Sequence, residues 1–495
     1  MITRRNPPSP ALERSYLLPL FLCLGALLAM RIAGLMAGRM DLVLDEAQYW
    51  TWSRELAFGY YSKPPMVAWV IRVATELCGD GEACVRSASP VLYTITSLIL
   101  YATAKELFDA RVGFWSAIVF ATLPGLSYSS NLITTDVPLL LFWTAAFYFW
   151  VILVKRKEMR FAVLLGVAAG LGLLSKQATI YFLLCVGCHA LVSQDARDAM
   201  KQGRGPVALL IALVMASPML IWNAANDFIT FRHTAANVGW KFPFVHPLAM
   251  LDYIVVQFGV FGPILMVVLL RTTGREFAHR SDQRKALLLA FSLPVLALLL
   301  VQSFLSRAHG NWSGVAYPAA TILVTAVMIE LGRRRLFQIS LGLHLAVAGV
   351  LAAAPAFAPR LAALGQPRSN PLVRVLGWRE LAATAEELAE TYGAKGILTD
   401  DREGTAELLY YLRDVPLPLS VWPRGPKPHN HFEMTRAYTP SAPLPLLYVT
   451  LHRTPRAIRE HFGTATLVGE QHFPTVAPGR TARFYILTEP QRERQ

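Results

Sequence analysis

The chain has 495 residues, 54% of them hydrophobic and only 16% charged, with a mean hydropathy of +0.39. Soluble domains average about 25% charged residues, so a string of soluble domains is excluded. The formal net charge is nevertheless +14. Nucleic-acid binding would gather that excess on a polar face, whereas a membrane protein would place it in short loops on one side.

The order of segments decides between them. Apolar runs at about 15–38, 88–106, 112–128, 137–154, 161–175, 178–193, 206–222, 250–270, 286–304, 314–331 and 337–358 approach the length of a helix crossing ~30 Å of hydrocarbon. They predict an α-helical polytopic membrane domain over 1–360 with about 11 transmembrane helices. Arg4, Arg5 and Arg14 precede the first run, which reads as an uncleaved helix with a cytoplasmic N-terminus. Alternate loops then carry Lys105 and Arg111; Lys155, Arg156, Lys157 and Arg160; Arg197, Lys201 and Arg204; Arg271, Arg275, Arg280, Arg284 and Lys285; and Arg333, Arg334 and Arg335. The opposite loops carry Asp45, Glu46, Lys63, Asp136, Asp227, Arg232, Lys241 and Arg307. The basic excess therefore orients a membrane protein, and no nucleic-acid partner is expected.

Residues 370–495 change character. Helical patterns at about 376–392 and 403–413, strand-like Gly396–Thr399, Leu444–Leu451 and Phe484–Leu487, and a helix from Pro455 to Phe462 predict a small soluble α/β domain. With eleven spans it lies across the membrane from the N-terminus, in the periplasm of a Gram-negative cell. Cys23, Cys185 and Cys188 fall in apolar runs and read as packing residues. Cys78 and Cys84 sit in an outer loop, where an oxidising compartment permits a disulfide; the alternative is two free thiols. No cysteine or histidine cluster has zinc spacing.

The outer loops hold the chemistry. Asp45-Glu46 stand at a membrane boundary, where charge is costly and functional by default, and are followed by Gln48, Tyr49, Trp50 and Trp52. Tyr60-Tyr61-Ser62-Lys63-Pro64-Pro65 stiffens the backbone behind a lysine that suits phosphate as a point charge. Asp136 precedes an apolar helix, where an acid also serves the helix dipole. Gly170 and Gly172 permit close helix packing before Lys176. Arg232 and Arg307 suit phosphate or a sugar carboxylate, and His233 and His309 neighbour them. Asn311-Trp312-Ser313 matches a glycosylation sequon, a pattern chance supplies often.

Taken in order, Asp45-Glu-Ala-Gln-Tyr-Trp50, Tyr61-Ser-Lys-Pro-Pro65, Thr134-Thr-Asp-Val-Pro138, Gly170–Lys176 and Asn226-Asp-Phe-x-x-Phe-Arg232 resemble the glycosyltransferase family 39 superfamily of the GT-C type. That superfamily contains the protein O-mannosyltransferases and the bacterial aminoarabinose transferase of lipid A. The tail's Gly377-Trp-Arg-Glu380 and Ala406–Leu412 also look like the soluble tail of bacterial relatives. The resemblance implies a polyprenyl-phosphate-linked sugar as donor and a glycolipid or protein of the envelope as acceptor, with transfer at the outer face of the inner membrane. It implies Asp45 as general base, with Glu46 beside it and Asp136 as a second acid. Lys63 is implied as a contact to the lipid phosphate, with Arg232 and Arg307 as further anion contacts. Tyr49, Tyr61 and His309 complete the substrate-binding set. Gln48 replaces an arginine of the aminoarabinose transferase, and Ser62 replaces an acid that lies there near a bound metal. The second departure weakens any expectation of a divalent metal.

Such a donor is already activated, with phosphate as the leaving group. Reaction at the anomeric carbon builds oxocarbenium-like charge, the acceptor hydroxyl needs a base, and the resemblance implies inversion. The rival reading, a transporter or flippase, places acids and broken helices at the bilayer midplane. Here the acids lie at outer helix ends and no inverted repeat is visible.

Overall fold

The computed structural model describes residues 15–240, 242, 245–279, 282–364, 375–452, 456–472 and 481–490. Arg4, Arg5, Arg14, Lys241, Arg280 and Pro455 lie outside the described residues. The chain divides into two units. The first holds Met1–Met36, Lys63–Val70 and Arg86–Ala353; the second holds Ala37–Ser62, Ile71–Val85 and Ala354–Gln495.

The first unit is helical because hydrocarbon offers no partner to a backbone N–H or C=O. Among the described residues, seven helices are long and apolar enough to cross a membrane: Leu17–Met36, Glu82–Leu107, Asp136–Arg156, Arg204–Ala225, Gln283–Leu305, Gly310–Glu330 and Arg334–Ala362. A pair bent by 109°, Pro247–Phe261 with Pro263–Glu276, is long and apolar enough only when its two halves are taken together. Three shorter apolar helices, Ala110–Thr122, Met159–Ser175 and Gln177–Val192, account for the remaining expected segments. All eleven apolar runs are therefore helical, and the two shortest runs, 161–175 and 178–193, are among the three short helices. The 109° bend falls at Gly262, where φ is +94° and a Cβ would collide with the His344 imidazole.

Contacts between loops confirm their grouping. Lys155 bonds Glu106 at 3.1 Å, Lys157 bonds Asp195 at 3.0 Å, and the Arg204 guanidinium donates to the Lys157 carbonyl at 2.9 Å. Arg284 lies over the Phe108 ring at 4.6 Å, and Lys285 bonds Glu330 at 3.0 Å. The five basic loops thus meet at one end of this unit, as an alternating topology requires.

The helices Met159–Ser175 and Arg204–Ala225 approach closely through glycine. A Cβ on Gly166 would lie 2.5 Å from the Ala208 carbonyl oxygen, and one on Gly170 would stand 3.0 Å from that of Ala212 and collide with the Met215 side chain.

The second unit carries a five-stranded sheet in the order β2-β1-β3-β5-β4, with β1 Gly396–Thr399, β2 Leu419–Val421, β3 Leu446–Thr450, β4 Phe462–His472 and β5 Thr481–Pro490. β1 runs parallel to β2 and β3, while β5 is antiparallel to β3 and β4. Alternation sorts the side chains onto two faces. Ile397, Leu447, Val449, Phe484 and Ile486 pack with Trp378, Leu381 and Leu408. Leu398, Leu446, Tyr448, Tyr485 and Leu487 pack with Ile458 and Phe462. The helices Trp378–Thr391, Arg402–Tyr411 and Arg456–His461 lie close to their expected positions. β2, β4 and the short helix His431–Thr435 were not anticipated from sequence. Cys78 and Cys84 form a disulfide in the part of this unit that comes from the first outer loop.

Alanine at Gly170 should destabilise the protein in detergent by roughly 1–2 kcal/mol, because overpacking outweighs the gain in helix propensity. Alanine at Gly187, whose Cβ position is open, should be neutral or stabilising. Equal thermal midpoints for the two variants would refute close packing at Gly170.

Candidate active site

In the second unit, the helix Leu44–Arg54 places Asp45 and Glu46 in its first turn, near the positive end of the helix dipole. Their environments differ sharply. Glu46 is fully buried, and its Oε2 accepts the Val43 N–H at 3.1 Å, capping its own helix. Asp45 is exposed and meets an arginine from the far end of the chain. Arg402 Nη2 donates to Asp45 Oδ1 at 2.5 Å, and Arg402 Nε donates to Gln48 Oε1 at 2.6 Å. The i,i+3 spacing puts Asp45 and Gln48 on one helix face. Arg402 opens the helix Arg402–Tyr411, where the Asp401 carboxylate accepts the Gly404 N–H at 2.8 Å as the cap.

Aromatic packing fixes the helix that carries Asp45. Trp50 Nε1 donates to Asp80 at 2.7 Å, and its ring lies edge-on to Tyr410 at 5.0 Å. Trp52 stacks on Tyr60 at 4.4 Å, with His431 edge-on to both. Tyr49 is buried against Trp52 at 5.1 Å, and the Tyr61 hydroxyl donates to the Pro428 carbonyl at 3.3 Å. Burial pushes His431 down to about 3, with Arg436 and Arg402 adding to the effect, so this imidazole is neutral. Asp400, Asp401 and His452 offer ligand atoms within 4.8 Å of one another, close enough for a cation. Asp400 Oδ2 already accepts from Tyr448 and Thr450, and Asp401 caps a helix, so the trio is engaged in holding its loop.

The first unit builds a second cluster. Asp136 begins the helix Asp136–Arg156, and both its oxygens are taken. Lys176 Nζ donates to Oδ1 at 2.6 Å, and Asn311 Nδ2 donates to Oδ2 at 2.7 Å. The side chains of Lys176 and Asp136 are 15% and 11% exposed, which makes this a largely buried ion pair. His309 lies nearby. Burial lowers its basicity, and the positive charges of Arg307, Lys176 and Lys63 lower it further. Those three cations and His309 therefore share one neighbourhood. Arg232 rides on the helix Ile229–Val238, which begins after left-handed Asp227 and Phe228. Its neighbour Phe231 packs against Met66 and Leu174, just beyond Lys63 and just before Lys176. Arg232 and Arg307 have no acid partner among the described residues.

Three contributors were missing from the expected site: Arg402, Lys176 and Asn311. Lys176 closed a recognised motif without a role. Asn311 was legible only as a chance sequon. Nothing near Arg402 in sequence points to Asp45.

Comparison with known proteins closes the question of family. Residues 62–222 match the family model described as dolichyl-phosphate-mannose-protein mannosyltransferase. The lipid A galacturonosyltransferase RgtD of Rhizobium johnstonii is 33% identical over 414 residues, covering 83% of this chain and 86% of that protein. The chain belongs to the GT-C glycosyltransferase family. The undecaprenyl phosphate-α-4-amino-4-deoxy-L-arabinose arabinosyl transferase of Pseudomonas savastanoi is 25% identical over 34% of this chain and 32% of its own. The crystal structure of ArnT from Cupriavidus metallidurans bound to undecaprenyl phosphate shares the fold, with a TM-score of 0.67 at 15% identity over 94% of this chain and 97% of that one. The stretch of this transferase matched by the family model contains Lys63, Asp136 and Lys176.

Lys176→Met should cost the transferase roughly 3 kcal/mol, since it leaves a buried carboxylate short of its cation. The double variant Asp136→Asn/Lys176→Met should recover most of that loss. Thermal unfolding in detergent reads both, and a double variant no more stable than the single would refute the pairing argument.

Proposed function

We propose that this transferase moves a galacturonosyl residue from a polyprenyl-phosphate donor onto lipid A at the periplasmic face of the inner membrane. The membership and the transferase activity stand on the comparisons above. The choice of sugar and acceptor is carried by one observation, the 33% identity to RgtD across 83% of the chain. The side of the membrane is supported by the five basic loops gathered at one end and by the Cys78–Cys84 disulfide, which suits an oxidising compartment. The relatives reported are all transferases, so nothing favours a transporter or flippase.

In this reading Asp45 takes the proton of the acceptor hydroxyl as that oxygen attacks the anomeric carbon. The bond from that carbon to the phosphate oxygen breaks, and polyprenyl phosphate leaves. Lys63, Arg307 and Arg232 stabilise the leaving phosphate as charge develops on it. Asp136 acts indirectly. Its two bonds hold Lys176 and Asn311 in place and keep Lys176 among the cations that face His309. Glu46 caps the helix that presents Asp45. Tyr49 and Tyr61 fix that helix and the turn after it.

Asp45→Asn should abolish transfer, by at least about 10²-fold, with an unchanged thermal midpoint. Lys63→Ala should raise the donor KM more than it lowers kcat. Turnover by Asp45→Asn within a few-fold of the parent would remove the base assignment, and an unchanged donor KM would remove the phosphate contact.

The histidine gives a pH test with a definite sign. His309 sits below its ordinary 6.5 because of burial and its cationic neighbours. A bound phosphodiester anion opposes those cations and raises it, so donor binding takes up a proton. Donor affinity should therefore rise as pH falls through the range below 6.5, and His309→Gln should flatten that rise. A slope that persists in the variant would assign the proton elsewhere.

A further inference from the structure

Arg402 holds Asp45 in a contact that the family reaction leaves unexplained. While the guanidinium occupies Oδ1, an acceptor hydroxyl has only Oδ2 of this carboxylate open to its approach. The contact is also easily exchanged. The Asp45 side chain is 52% exposed and that of Arg402 is 34% exposed, and half-exposed ion pairs contribute little to stability. An anion arriving with the substrate competes for this guanidinium on favourable terms.

The donors nearby suit a carboxylate. Arginine offers five N–H groups in a planar fork that matches a carboxylate bidentately. Two of them are engaged here, one by Asp45 and one by Gln48. A second observation points the same way. Gln48 is 1% exposed, and its amide nitrogen has no hydrogen-bond partner, although its oxygen is bonded to Arg402. Buried donors are nearly always satisfied, so an unsatisfied one beside an exchangeable guanidinium marks a place where an acceptor belongs.

We propose that Arg402, oriented by Gln48, is the receptor for the carboxylate of a uronic-acid donor, and that its bond to Asp45 is a latch which that carboxylate opens. The inference rests on the uronate reading of the donor made above. A uronate that takes the guanidinium releases Asp45 Oδ1 for the acceptor proton. A neutral hexose makes no such exchange and leaves the latch closed. Discrimination then appears in kcat as well as in KM, since the correct sugar frees its own base. No bond other than that of the transfer reaction is made or broken.

The test uses the full-length protein in lipid nanodiscs with lipid A as acceptor and two synthetic donors, polyprenyl-phosphate galacturonic acid and polyprenyl-phosphate galactose. The parent should prefer the uronate. Arg402→Gln should lose on the order of 10²-fold in kcat/KM for the uronate, while the galactose donor is unchanged or faster because Asp45 is released. Arg402→Lys keeps the charge but not the fork, so it guards against a folding defect. It should keep the parent's thermal midpoint and lose about tenfold on the uronate donor alone. Equal losses on both donors in either folded variant would overturn the receptor and leave the uronate reading intact. A parent enzyme that uses only the galactose donor would overturn the uronate reading itself, and this inference with it.

Discussion

A chain that crosses hydrocarbon must pair every backbone N–H and C=O within itself. That constraint turns eleven apolar runs into helices and leaves the chain no regular place for chemistry except at their ends. The charged residues of the candidate site accordingly lie in first turns or connecting loops. Asp136 starts a helix, Lys176 follows one, and His309 precedes one. The 109° bend at Gly262 interrupts one apolar run, and a glycine with positive φ accommodates it. The same constraint explains the glycines of Met159–Ser175. Without a hydrophobic drive between helices in lipid, association comes from close contact, which small residues permit.

The two aspartates of the expected site show what environment does to one side chain. Asp136 is largely buried, and both oxygens are committed to Lys176 and Asn311. A carboxylate so placed is a structural anion. Removing its partner costs more than the pair itself contributes. Asp45 is half exposed, and it pairs with an arginine whose side chain is about a third exposed. The first arrangement resists exchange, while the second invites it. Base catalysis needs a carboxylate that can change partners during the reaction, and of these two Asp45 is the one whose surroundings allow it, which supports the roles proposed for the pair.

Periodicity made the helical unit legible, because runs of about twenty apolar residues have few other uses. The alternating basic loops were legible for the same reason, and side-chain contacts between them bear out the grouping. In the tail, β1 and β3 were visible as short apolar runs. β4 was not, because most of Phe462–His472 is partly or fully exposed and lacks a buried face of its own. The site was half legible. Asp45, Lys63 and Asp136 stand in motifs with helix-boundary logic. Arg402 lies 357 positions from Asp45, and no local pattern encodes a contact at that separation. Glu46 and Tyr49 were expected beside Asp45, and the structure buries both, with Glu46 capping its own helix and Tyr49 packed on Trp52. A sequence states which residue types are present but not which of two adjacent acids the helix keeps for itself.

That long separation also governs how the helix carrying Asp45 is held. Leu44–Arg54 belongs to the same compact unit as residues 354–495. Its Trp50 meets Tyr410, the Leu42 N–H is bonded by the Tyr411 hydroxyl at 3.0 Å, and Asp41 accepts the Trp378 N–H at 2.9 Å. The helix is eleven residues long, shorter than isolated helices need for stability in water, so its form depends on this packing. The residues that supply it emerge 337 to 369 positions later in synthesis. Closing a loop of that length costs only slowly growing entropy, so the arrangement is thermodynamically inexpensive, but it can form only after the C-terminal third exists. The tail is therefore a structural part of the Asp45 site in its own right: it shapes the helix that bears this carboxylate and supplies the arginine that holds it.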